Sequence, residues 1–442
     1  MSKLRKLGFF LFLLLYVNLF SQGNSPSLAK PIFPPLSRAV LKNGLPLLYQ
    51  HDPSTPITVL LLTIKGGQRV EPAEKSGLAY LVTRLSLEIP DQSKVRQLMV
   101  QASQLTFSTF PDYNQIRLAC LTPHFEETLS ILSKIMTKPL FSGLRINRIK
   151  KNMTSAGKRI LDQARLYARQ EAHTLLFGAT PYGNSSYGSE KTLNKITKKD
   201  IEEYYHNYFN AAQMVAVVIS DENLSTLQPK LEKHLGKFPP GKPASYPSLN
   251  FPVPEEREIK INRQSKEILL YLAYRLPPLN PQVYTSSLLL EHLLGKGVLS
   301  RLWKLREIQR LAYNLQSEIL YYQQGGILEL VVETSPPKRE AALKALNQEI
   351  EYLVNQPLSE EELAMTKAYT KASLLRQCQE KNTRAAYLAA FEVKGLGANF
   401  LENLFKLIEQ ISLEEFTQFV SEILSPANQI KIEIGPSLSP EL

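Results

Sequence analysis

An internal repeat with an offset of 215 residues constrains the fold of this 442-residue chain more than any other feature: the segment 196–220 aligns without gaps on 411–435. Each copy begins with a hydroxyl residue, Thr197 or Ser412, and carries an acidic residue three positions later, which is the capping-box pattern of a helix start. An amphipathic helix, a short turn and a strand follow in both copies. This period is too long for a solenoid, so it predicts an α+β fold of two homologous domains, each a mainly antiparallel β-sheet packed with α-helices.

Chain length and the positions of the prolines give the expected domain boundaries. A chain of this length is too long for one compact core. We expect the N-terminal domain at 36–236 and the C-terminal domain at 255–436. The segment 237–254 contains six prolines and is interpreted as the linker. The Pro- and Ser-rich segment 24–35 is expected to be extended.

The first 23 residues have the pattern of a secretory signal peptide. Lys3, Arg5 and Lys6 precede the apolar run 7–20, which is short for a membrane span, and small residues follow it. We therefore expect a secreted or periplasmic protein, with an uncleaved membrane anchor as the alternative. The mature chain contains no other comparable apolar run, so we expect no transmembrane segment in it.

The segment 66–85 (GGQRVEPAEKSGLAYLVTRL) links a strand that ends in two glycines to a helix that begins near Ser76. It follows LKNGLPLLY and precedes PYGNSSYGS and VAVVIS. In this order the motifs resemble the pitrilysin/insulinase family of zinc peptidases, over about 36–436. The resemblance is to the two-domain subunit class, which includes mitochondrial processing peptidase and the core subunits of the cytochrome bc1 complex.

The resemblance implies where active members bind zinc: through His-x-x-Glu-His on that helix and a later Glu. Here Tyr80, Thr83 and Arg84 stand at the positions of the first His, the Glu and the second His. Ala156, or else Ser155, stands at the position of the later Glu. Zinc needs N, O or S donors and one position open for water, whereas a guanidinium has no lone pair to donate and repels a cation. No two of the six histidines lie four or five residues apart. We therefore expect no metal or other cofactor here, and zinc only in a partner subunit.

The segment 300–319 (SRLWKLREIQRLAYNLQSEI) resembles the signature of the family's second half. Arg306 and Tyr313 are seven residues apart, about two helical turns. In four-domain members an Arg and a Tyr with this spacing bind the peptide carbonyl and stabilise the oxyanion, so the resemblance implies catalytic contacts in trans. The match departs by one missing residue and by Arg310, which replaces the usual Gly. In the alternative interpretation Tyr313 begins a buried strand and Arg306 is a surface ion-pair partner.

These features predict a non-catalytic subunit that forms a hetero-oligomer with a homologous zinc-bearing peptidase subunit and helps to bind unfolded peptides. We expect no peptidase activity from the chain alone, and metalloendopeptidase activity only with that partner. The alternative is a purely structural or peptide-binding module, like the respiratory-complex core subunits. The net charge of +11 includes a local excess at 145–159, whose helical spacing is most simply explained by a solvated face; the alternative is a surface that favours acidic peptides or anionic surfaces. No nucleic-acid motif accompanies it.

Overall fold

The computed structural model of the chain describes residues 31–246, 248–254, 257–356 and 358–436. The predicted signal peptide and most of the expected extended segment lie outside these residues. Among the described residues, no helix is long and apolar enough to cross a membrane.

The N-terminal half contains a six-stranded sheet whose strands lie in the order β1-β2-β6-β3-β5-β4. Every neighbouring pair is antiparallel except β2 and β6. The strands are β1 (Leu36–Val40), β2 (Pro46–His51), β3 (Ile57–Lys65), β4 (Gln104–Thr109), β5 (Tyr113–Leu121) and β6 (Met214–Ser220). The helices are α1 (Leu78–Ser86), α2 (Gln92–Val100), α3 (Phe125–Thr137), α4 (Gly143–Asp162), α5 (Ala164–Phe177), α6 (Glu190–Lys195), α7 (Lys198–Tyr208) and α8 (Leu224–Leu235).

The C-terminal half contains a five-stranded sheet in the order β7-β11-β8-β10-β9. Its strands are β7 (Glu258–Asn262), β8 (Ile268–Leu276), β9 (Asn314–Tyr322), β10 (Gly325–Thr334) and β11 (Gln429–Gly435). Its helices are α9 (Pro281–Gly295), α10 (Trp303–Glu307), α11 (Arg339–Asn355), α12 (Glu360–Gln377), α13 (Lys381–Val393), α14 (Phe400–Gln410) and α15 (Leu413–Ile423). Without β1, the first sheet has this same order, and again one pair, β7 and β11, is parallel. The predicted fold class is confirmed.

The repeat holds at the level of individual residues. Helices α7 and α15 have the same length, and each begins with a closed capping box. In the first, the Asp200 N–H donates to the Thr197 hydroxyl at 3.3 Å, and the Thr197 N–H donates to the Asp200 carboxylate at 2.7 Å. The same offset of 215 relates the 3-10 turns Ala211–Gln213 and Pro426–Asn428 that lead into β6 and β11.

The two halves exchange helices. Helix α5 of the N-terminal half packs on the second sheet, where Ala172 and Phe177 join a buried cluster with Tyr271. Helix α13 of the C-terminal half packs on the first sheet through β3 and β6. Its Lys381 ammonium donates to the carbonyls of Asp52 and two neighbouring residues at 2.6–3.0 Å. Because each half covers the sheet of the other, both halves belong to one compact unit that begins at Leu36.

Candidate functional site

Two glycines set the path of the chain from β3 into the segment before α1. Gly66 has φ 113° and Gly67 has φ 54°, a region that favours glycine. A Cβ atom on Gly67 would collide with backbone atoms of Phe110 and Tyr113 in the β4–β5 hairpin. The two glycines therefore form a tight turn that lets the backbone of the hairpin approach closely.

A buried carboxyl group satisfies the start of α1. Glu71 accepts hydrogen bonds from the N–H groups of Gly77 at 3.1 Å and Ala79 at 2.7 Å, so it does the work of an N-cap side chain. Burial nevertheless raises the pKa of Glu71 to about 8, although both hydrogen bonds act in the opposite direction. This role of Glu71 was not predicted from the sequence; the available signal was an acidic residue a few positions before an amphipathic helix.

Tyr80 and Thr83 lie on α1 and are engaged in packing. The Tyr80 ring lies 5.0 Å from that of Phe107 and 4.7 Å from that of Tyr187, centroid to centroid. Burial raises the pKa of Tyr80 to about 12, so its phenol stays protonated at neutral pH. The Thr83 side chain is fully buried, and its hydroxyl donates to the Ala79 carbonyl at 2.8 Å. Neither oxygen is available to a metal as an anionic ligand.

Arg84 and Ala156 complete the set of predicted positions. Arg84 lies at the end of α1 and forms an ion pair with Glu88 at 3.4 Å. Glu88 also pairs with Arg148 of α4, the helix that carries the half-buried Ala156. Helices α1 and α4 do pack together, but they bring a guanidinium and a methyl group to these positions. This donor set does not fit zinc.

Elsewhere among the described residues, no three His, Cys, Asp or Glu side chains form a group that could hold a metal ion.

Arg306 and Tyr313 are both exposed. The Arg306 guanidinium stacks 5.0 Å from the ring of Trp303 and pairs with Glu307 at 3.7 Å. The Tyr313 side chain is 56% exposed, and its backbone N–H donates to the Glu333 carbonyl at 2.8 Å. The two residues do not lie on one helix, because α10 ends at Glu307 and the Tyr313 N–H joins the pairing of β9 with β10.

Arg310 lies in the bend between α10 and β9 with φ 54°. This left-handed conformation costs a non-glycine residue about 1–2 kcal/mol. This conformation is the physical reason why glycine suits the corresponding position of the family signature that segment 300–319 resembles. The Arg310 carbonyl accepts from the Lys338 ammonium at 2.8 Å, so the bend is tied to the start of α11.

Comparison with known proteins identifies two consecutive family segments. Residues 47–190 match the family described as Insulinase (Peptidase family M16), and residues 195–369 match the description Peptidase M16 inactive domain. Together the two segments cover most of the chain and most strands of both sheets, except β1 and β11.

Similar proteins extend over nearly the whole length. A Helicobacter pylori protein named non-peptidase homolog YmxG is 21% identical over 391 residues, which are 85% of this chain and 88% of that protein. An uncharacterized zinc protease of Rickettsia felis is 22% identical over 416 residues, or 90% and 97% of the two chains. The crystal structure of a peptidase M16 inactive domain from Pseudomonas fluorescens has a TM-score of 0.82 and 20% identity, and covers 92% of this chain and 99% of that one. The chain therefore belongs to the insulinase family of peptidases, family M16, as a member that lacks the His-x-x-Glu-His sequence.

Proposed function

We propose that this chain is a non-catalytic subunit that pairs with a homologous, zinc-bearing peptidase subunit. The observation that carries the proposal is the state of α1 at the three positions where active members hold the zinc motif. Tyr80 packs against two aromatic rings, Thr83 is buried against its own helix, and Arg84 is ion-paired. A metal-dependent reaction would therefore need ligands from another chain.

Arg306 and Tyr313 are the residues that we assign to peptide contact in the assembled enzyme. Both side chains are exposed, and stacking on Trp303 steadies the guanidinium while leaving it accessible. A guanidinium and a phenol can both donate hydrogen bonds to a peptide carbonyl whose oxygen becomes negative during attack. We further propose that the assembly works outside the cytoplasm, secreted or periplasmic, because of the segment 1–23.

A purely structural or peptide-binding role is the second candidate. It is favoured by the partners of Arg306, which are Trp303 and Glu307 of its own short helix, and by the strained Arg310 beside it. In that role neither Arg306 nor Tyr313 would contact a reacting peptide.

The deciding experiment compares two samples. One is the purified mature chain alone, and the other is the same chain mixed with a homologous subunit that has an intact His-x-x-Glu-His. Bound zinc and cleavage of a neutral quenched fluorescent peptide are measured in both. We expect cleavage only in the mixture, lowered on the order of 100-fold by Arg306→Ala or Tyr313→Phe. The matched controls are Arg96→Ala on the exposed face of α2 and Tyr352→Phe on α11, which should cleave at the wild-type rate.

The outcomes separate the candidates. Full activity of the mixture with both Arg306→Ala and Tyr313→Phe would leave only the structural role. Zinc-dependent cleavage by the chain alone would overturn both roles, because it would require a metal site within this chain.

A further inference from the structure

A cavity of about 630 Å³ lies beside the end of α1, between α2 and the start of α4. Three arginines line it: Arg84 from α1, and Arg145 and Arg148 from α4. Arg145 and Arg148 belong to the basic stretch 145–159, and the fold adds Arg84 from a helix about 60 residues earlier in the sequence.

The charge in this cavity is only partly compensated. Glu88 is the single acidic residue of the lining, and it pairs with both Arg84 and Arg148. Arg145 forms no ion pair with any residue that the structure describes. One carboxylate thus faces three guanidiniums. The shared Glu88 holds two of them in place, while the Arg84 and Arg148 side chains remain 40% and 58% exposed.

The positive charge continues along the exposed face of α4. Lys151, Lys158 and Arg159 are exposed, and within the described ranges none of them has a carboxylate partner. From Arg148 to Arg159 the helix rises about 16 Å. An extended peptide covers that distance with about five residues.

Apolar surface lies next to the arginines. Leu144, at the start of α4, is 87% exposed, and Ile89 and Pro90 line the cavity near it. An unusually exposed leucine beside three guanidiniums suits a ligand that carries both carboxylates and an apolar group.

We propose that the cavity and the exposed face of α4 bind an acidic peptide segment, with carboxylates on Arg84, Arg145 and Arg148 and an apolar side chain against Leu144. This inference rests on the proposed function, since it names the class of peptide that the assembled enzyme would accept. Guanidiniums bind carboxylates through paired hydrogen bonds, and the cavity offers depth for a side chain. No aromatic side chain is present in its lining for nucleic-acid bases to stack on.

The test measures peptide binding by the chain alone. A fluorescein-labelled octapeptide that alternates Glu and Leu is titrated with the protein in a fluorescence anisotropy assay, next to the same peptide with Gln in place of Glu. We expect the Glu peptide to bind at least tenfold more tightly, with an affinity that falls as salt rises.

Two variants locate the binding site. The triple variant Lys151→Glu, Lys158→Glu, Arg159→Glu should weaken binding at least tenfold, and Arg145→Ala should weaken it several-fold. All four side chains lack ion-pair partners among the described residues, so the variants should keep the wild-type circular dichroism spectrum and Tm. The matched control makes the same change of charge in the C-terminal half, at exposed Lys344, Arg376 and Lys406, and should bind the Glu peptide as wild type does.

Three results would overturn the proposal: equal affinity for the Glu and Gln peptides, equal weakening in the control triple variant, or tighter binding to vesicles of anionic lipid than to the Glu peptide. The last result would assign the basic face to a membrane surface. The two proposals fail separately, because this assay needs no partner subunit and the cleavage assay uses a neutral peptide.

Discussion

Glu329 offers the sharpest test of the exchange of helices between the two halves. It lies on β10, is completely buried, and accepts hydrogen bonds from Arg165 and Arg169 of α5 and from the Tyr271 hydroxyl. These contacts lower the pKa of Glu329 to about 2, in spite of burial, which acts in the opposite direction. The substitution Glu329→Gln removes the charge and keeps the shape.

The magnitude follows from the pKa shift. Relative to the ordinary value of 4.5, a pKa of about 2 is a shift of about 2.5 pH units, which corresponds to about 3 kcal/mol of stability at neutral pH. Because the folded-state pKa is depressed, this stability is present above pH 4.5 and is lost as the pH falls through 2. Wild type should therefore exceed Glu329→Gln by about 3 kcal/mol at pH 7 and by less than half of that at pH 3.

The assay is urea unfolding followed by tryptophan fluorescence and circular dichroism at pH 7, 5, 4 and 3. Glu333→Gln on the same strand is the matched control, since no ion pair of its side chain is present in the described structure, and it should remain within about 0.5 kcal/mol of wild type at every pH. A difference between wild type and Glu329→Gln that stays below about 1 kcal/mol at pH 7, or does not shrink in acid, would refute the argument that this carboxylate holds α5 on the second sheet.

Three further substitutions test the local geometry. Arg310→Gly should raise the unfolding free energy by about 0.5–1 kcal/mol, because relief of the left-handed conformation exceeds the added entropy of the unfolded chain; a fall in Tm would contradict this. Gly67→Ala should cost more than about 3 kcal/mol because the added Cβ collides with the β4–β5 hairpin, whereas Gly143→Ala, which has open space, should leave the Tm within a degree or two. Burial raises the folded-state pKa of Glu71 to about 8, so the stability that this side chain contributes is lost as the pH rises from 4.5 through 8. The Tm of wild type relative to that of Glu71→Gln should therefore fall over that range. A difference in Tm that stays constant would be inconsistent with a buried, protonated Glu71.

The sequence predicted the parts of the fold whose causes are local. The capping boxes at Thr197 and Ser412 and the apolar faces behind them locate α7 and α15 correctly, because cap and helix lie within a few residues. The helix exchange was not predicted, since Arg169 and Glu329 are 160 residues apart and nothing in either segment specifies the other. The spacing of Arg306 and Tyr313 does not show that they lie in different elements: the helix ends at Glu307, and Tyr313 stands at the start of the β9–β10 hairpin, whose pairing outweighs local propensity.

Part of the candidate site could also be predicted from the sequence, where the prediction depends only on the chemistry of single side chains. The identities of Tyr80, Thr83 and Arg84 exclude zinc ligation at those positions by the chemistry of their side chains alone. What replaces the metal depends on the fold. The aromatic partner Tyr187 and the basic partner of Glu88 come from segments that α1 meets only in three dimensions.

The retention of α1 without its metal chemistry follows from where the stability of this helix lies. Its apolar face, Leu78, Leu81, Val82 and Leu85, is buried in the core of the N-terminal half and does not depend on a metal ion. The remaining face is therefore free to vary, provided that each side chain finds a partner. Side chains that cannot bind zinc on this face of α1 therefore cost the fold little. Arg84 lines the same cavity as Arg145 and Arg148 of α4, so under our proposal that cavity is the place to look for bound peptide.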